Sequence, residues 1–167
     1  CGLIDSTLPR DNVYHFIKIG YLLERADMTA RITDVGAGDI IDREGVNDAI
    51  DPILWGSLLE ALSAKSAYRK AVSPIVEKNP IVDFLFKAES FPRSIYFCLR
   101  EISIELGDKP NRQSVTKLLR SSMRKLRKFD ASSLTRDQLH EFIDKFQVSL
   151  IALNKEFYSS WFTGEQK

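Results

Sequence analysis

The sequence predicts an all-α protein, an antiparallel multi-helix bundle, and three observations carry that reading. Helix-start and helix-stop signals recur along all 167 residues. Apolar rows at the helical period run through Asp11–Val35 and Thr135–Phe162. Alternating strand patterns are nearly absent.

Taken in order, the opening Cys1–Arg10 reads as irregular, and the first long helix starts near Asp11 and stops before Gly36-Ala37-Gly38. Gly36–Gly45 reads as a loop; it lacks the third glycine and the preceding strand of a dinucleotide fingerprint. Asp51-Pro52 is an N-cap followed by proline at the first helical position, opening a helix to about Lys70. Ser73-Pro74 and Asn79-Pro80 repeat that signal for two short segments. Phe91-Pro92-Arg93-Ser94 introduces a helix to Gly107, and Asn111 or a neighbour starts a basic helix to Phe129. Thr135-x-x-Gln138 has capping-box spacing and begins the last helix, whose face is Leu139, Phe142, Ile143, Phe146, Leu150, Leu153, Phe157 and Trp161. Short turns between helices predict antiparallel neighbours in one domain, residues 1–167.

The chain is 44% hydrophobic and 28% charged, enough to bury a real core. A formal net charge of +1 argues against a globally basic nucleic-acid binder. Two cysteines, Cys1 and Cys98, imply no disulfide framework and fit a reducing, cytoplasmic compartment. No stretch approaches the roughly 20 apolar residues of a membrane span, and no signal peptide is visible. The chain does not begin with Met, which predicts a segment of a longer protein. His15 and His140 are far apart, no Cys/His cluster has metal-ligand spacing, and no phosphate loop or nucleophile elbow occurs. No metal or cofactor is therefore expected, and any catalysis would rest on carboxylates and arginines.

Charge nevertheless sits where a plain helix would carry apolar residues. Val13, Phe16, Ile17, Gly20, Leu23 and Met28 form an apolar row with Glu24 near its centre and Asp27 and Arg31 beside it; Arg25 lies to one side. If that row faces the core, its acids need partners, so Glu24, Asp27 and Arg31 should pair with each other, with a facing helix or with a ligand. An intrahelical ion-pair ladder is the plainer alternative. Trp55, Leu58, Leu59 and Leu62 make a second row that Ser66 and Arg69 continue, with Tyr68 at its flank; Arg69 is a candidate counter-ion across the interface, or a cation at a solvated helix end. Arg93 falls in a first helical turn, where the dipole disfavours a cation, so a carboxylate or anionic ligand is expected there. Ile95, Cys98, Leu99 and Ile102 on one face, with Phe97 and Ile104 on the other, predict a central helix in which Cys98 is packing. Arg112, Lys117, Arg120, Arg124, Lys125, Arg127 and Lys128 form a basic amphipathic helix: a solvated face, a surface for an acidic protein, or a phosphate-binding strip.

At these residues the chain resembles the alpha-E domain family, bacterial all-helical proteins named for a Glu-Arg motif. The segments are Gly20–Arg31 with Glu24-Arg25, Trp55 with Leu58-Leu59, Ala67-Tyr68-Arg69, and Phe91-Pro92-Arg93-Ser94-Ile95. The resemblance implies the C-terminal half of a longer two-part helical domain with a comparable Glu-Arg helix in each half. It also implies association with circularly permuted ATP-grasp ligase-like proteins and transglutaminase-like peptidases, and thus an accessory or scaffold role in peptide ligation or tagging. Glu24, Arg25, Asp27, Arg31, Trp55, Tyr68, Arg69 and Arg93 are the binding residues expected on this reading. An enzyme using Glu24 or Asp27 as base, and nucleic-acid binding through Arg112–Lys128, are the competing readings.

Overall fold

Eight helices and no strand make up the secondary structure of the described residues, 2–43, 50–132 and 135–163 of a computed structural model. They are α1 (Gly2–Thr7), α2 (Asn12–Ile41), α3 (Asp51–Ala61), α4 (Lys65–Ala71), α5 (Lys78–Lys87), α6 (Ile95–Leu106), α7 (Gln113–Lys128) and α8 (Arg136–Trp161). The helical bundle expected from the sequence is the architecture observed.

Caps explain several boundaries. The Asp11 side chain accepts from the Tyr14 amide to start α2, and Ser94 accepts from Phe97 to start α6. Thr135 and Gln138 close the expected capping box at α8. The α8 face is also as read: Leu139, Ile143, Phe146, Leu150, Leu153 and Phe157 are buried, with Phe142 and Trp161 packed beside them.

The spine is α2, which packs chiefly against α6 and α8 and also against α3 and α5. α6 touches α2, α5 and α7, so it is central as expected; Cys98 is buried within it, although Ile104 is 60% exposed. Burial pushes the Cys98 thiol up to about 12, the behaviour of an inert packing group.

Other boundaries differ from the sequence reading. α2 does not stop before Gly36 but runs through Gly36 and Gly38 to Ile41. Packing outweighs helix propensity at Gly36, where a Cβ would stand 2.7 Å from Leu58 Cδ1; at Gly38 a Cβ would make only ordinary contact, 3.5 Å from Arg136 Nε. The expected loop continuation to Gly45 lies outside the described residues from residue 44 onward. The opening is not irregular, since α1 occupies Gly2–Thr7. The helix read from Asp51 to Lys70 breaks after Ala61, where Ser63 adopts φ 53°, and Ile50 rather than Asp51 holds the cap position. Ser73-Pro74 opens no helix. Asn79 lies within the first turn of α5 and its amide donates to the Ser132 carbonyl at 3.0 Å.

Candidate functional site

The inward face of α2 is built from small side chains. Ala26, Ala30, Thr33 and Ala37 are buried between Leu22 and Ile40, within about 60° of one another around the axis. Small residues let neighbouring backbones approach closely. Thr29 donates its hydroxyl to the Arg93 carbonyl at 2.8 Å, and Thr33 donates to the Thr29 carbonyl at 2.7 Å.

The row read as core-facing is on the opposite side. Val13, Ile17, Gly20 and Met28 are exposed, Phe16 and Leu23 only half-buried, and Glu24 is exposed with them. The expected interior charge at Glu24 is thus corrected. The bulk of the apolar side chains suggested the core face, whereas close helix packing selected the face of alanines and threonines. Along the outward side Ile17, Tyr21, Glu24, Met28, Arg31 and Val35 follow in alternating steps of four and three. That is the spacing of a coiled-coil seam, with charge at two of its positions.

The expected ladder exists in part. Arg31 Nε donates to Asp27 Oδ2 at 2.7 Å, which holds the guanidinium above its ordinary pKa, but the pair lies at the surface. Arg25 lies with its guanidinium 4.2 Å above the Tyr21 ring, donates to the Tyr21 hydroxyl, and donates to the Pro92 carbonyl at 3.1 Å. It therefore ties α2 to the segment preceding α6. Arg69 is exposed on α4, near Glu60, and meets neither Glu24 nor Asp27. Arg93 is exposed and precedes the Ser94 cap, outside the first turn, so the expected conflict with the helix dipole does not arise. Trp55 and Tyr68 are buried; the Tyr68 hydroxyl donates to the Ile75 carbonyl at 3.3 Å and its ring meets Phe84 edge-on. Both serve the core. The structure brings together Glu24, Arg25, Asp27 and Arg31 on α2, and leaves Trp55, Tyr68, Arg69 and Arg93 apart from Glu24.

Two grooves flank the outward row. One of about 330 Å³, with Tyr21 and Arg25 in its wall, lies between α1, α2 and α6. The other, about 610 Å³, runs between α2 and α3 past Arg31 and Val35. Neither Glu24 nor Asp27 lines either groove.

The interior charge belongs instead to Glu105, which is 8% exposed near the end of α6. His15 Nδ1 lies 2.6 Å from its Oε2 and Lys18 Nζ 2.6 Å from its Oε1. Burial pushes the Glu105 carboxyl up, but hydrogen bonds and charge from Lys18 and His15 more than offset it and hold the pKa below its ordinary value. The hydrogen bond to Glu105 in turn raises Lys18. The signal was present in the sequence: Glu105 continues the buried Cys98, Leu99, Ile102 face at helical spacing. Among the described residues no group of three His, Cys, Asp or Glu side chains could hold a metal ion.

Residues 1–162 match Alpha-E, a predicted alpha-helical domain with a conserved ER motif. Glu24-Arg25 is the only Glu-Arg dipeptide in the chain. The chain belongs to the Alpha-E family. No curated protein and no solved structure matches it. In this Alpha-E chain the two motif residues have different placements: Arg25 braces α2 against the start of α6, while Glu24 points into solvent within the outward row. No described helix is long and apolar enough to cross a membrane.

Proposed function

We propose that this Alpha-E chain is an accessory docking module whose outward α2 row seats a helix of an ATP-grasp-type ligase partner in a peptide-ligation system. One observation carries the reading: motif Glu24 is exposed in the middle of a coiled-coil-spaced row that holds exposed Ile17, Met28 and Val35. A polar residue inside such a seam selects partner and register at some cost in stability. Glu24 and Arg31 would supply that selectivity, while Arg25, held by Tyr21 and Pro92, keeps the row rigid. The enzymatic reading has less support, because Glu24 lines neither flanking groove and Asp27 is paired with Arg31.

Co-purification of the full protein with an ATP-grasp ligase encoded beside it tests the reading. The expected result is capture by the wild type and loss of capture with Glu24→Arg and with Met28→Asp, both at unchanged Tm. Equal capture by all three proteins would defeat it. A wild type that forms a dimer through this row, with no ligase bound, would assign the face to a second copy instead.

A further inference from the structure

Charge on α7 has no acidic partner among the described residues. From Gln113 to Lys128 the helix carries Lys117, Arg120, Arg124, Lys125, Arg127 and Lys128 and no acid. The helix dipole favours cations in the last turn, but it does not account for Lys117 and Arg120, which lie further back. Among the described residues none of the six is within ion-pair distance of a carboxylate. On α8, by contrast, Arg136 pairs with Asp42, His140 with Asp34 and Lys145 with Glu141. The partners of the α7 cations are neutral: Lys125 donates to Ser149 Oγ at 2.9 Å, and Arg127 lies over the Tyr96 ring and donates to its hydroxyl.

A groove of about 780 Å³ opens between α7 and α8 beside these cations. Its floor is Phe129, Phe142 and Phe146, with the first two ring centroids 4.2 Å apart. Lys125 and Lys128 form one rim and Lys145 stands on the other. Lys117, Arg124 and Lys128 lie within about 40° of one another around α7, so positive charge continues along the helix away from the groove. No α2 residue lines it, and it is thus separate from the outward row.

We propose that this groove binds an acidic peptide segment carrying one bulky apolar side chain. The apolar side chain would cover the phenylalanine floor, and flanking carboxylates would meet Lys125, Lys128 and the cations beyond them. Nucleic acid fits less well. The rings of the floor pack on one another rather than offering free faces to bases, and the run of cations is confined to one helix. A lipid surface favours protruding apolar side chains, whereas this apolar surface is recessed.

Fluorescence anisotropy with the whole chain tests the proposal. The probe is a labelled Asp/Glu-rich peptide with a central Phe; the controls are its Phe→Ser form, an oligouridylate and phosphatidylserine vesicles. Saturable peptide binding is expected, weakened about tenfold by loss of the Phe and at least about tenfold by Lys125→Glu/Lys128→Glu. Glu24→Arg should leave it unchanged, which separates this site from the α2 row. Both lysines are exposed and have no acidic partner among the described residues, so the double variant should keep its urea midpoint. If the midpoint moves, Lys128→Ala alone takes its place. Absence of peptide binding, indifference to the Phe or to the lysines, or tighter binding of the RNA or the vesicles at the same salt would each overturn the proposal.

Discussion

The two faces of α2 divide the work of the helix in a way that hydropathy inverts. The inward face is made largely of Ala26, Ala30, Thr33 and Ala37, and it is the one that is sealed. The outward face carries Ile17, Tyr21, Met28 and Val35, with Val35 68% exposed. Small side chains bring helices together, and large ones left in water require another surface to cover them. The same division applies to the acids. Glu105 faces the first turns of α2 from α6 and is held by two bases, while Glu24 stands in solvent.

Substitutions can break this contrast. Ala30 has no room to grow, so Ala30→Leu should cost about 3 kcal/mol through overpacking. Met28→Ala on the outward face should stay within about 0.5 kcal/mol of wild type. Urea denaturation compares the two, and similar losses would mean that the faces are not distinct. Next in size is Glu105→Ala, which leaves Lys18 and His15 without their carboxylate and should cost about 2 kcal/mol. The same measurement on Glu24→Ala should show a change within about 0.5 kcal/mol.

The pH dependence sharpens the comparison further. Because the folded pKa of Glu105 lies below its ordinary 4.5, its contribution is present above that pH and is lost as pH falls through the folded value. The folded pKa of Lys18 lies above 10.5, so its contribution is present below that pH and is lost as pH rises through the folded value. Glu105→Gln should therefore flatten both limbs of the stability–pH curve. Retention of a wild-type acid limb would show that other groups govern it. The smallest signal is chemical. In a Cys1→Ser background, Cys98 should resist thiol reagents under native conditions and react at the rate of unfolding, since burial raises its thiol to about 12.

Much of the fold was legible because its signals are local. The helix start near Asp11, the Thr135 capping box and the periodic face of α8 depend on neighbours within a turn or two, and the structure keeps them. The site was less legible. Glu24 was placed correctly at the centre of an apolar row, but which side of α2 faces the bundle depends on α6 and α8, far away in the chain. Gly36-Ala37-Gly38 read as a stop for the same reason: the close approach of Gly36 to Leu58 is a long-range fact. Glu105 carried a usable pattern, an acid continuing an apolar helical face, yet its partners His15 and Lys18 lie about ninety residues earlier.

By itself the sequence determined that this is an all-helical Alpha-E protein, where most of its long helices begin, and that its Glu-Arg motif shares a helical face with apolar side chains. Tertiary structure decided that this face turns outward and that Glu105, among the described residues, is the buried acid. The physical reason is that caps and periodicity act within one helix, while burial is set by how closely two helices can approach. In α2 the positions sealed between Leu22 and Ile40 include Ala26, Ala30, Thr33 and Ala37, whose small side chains permit that approach.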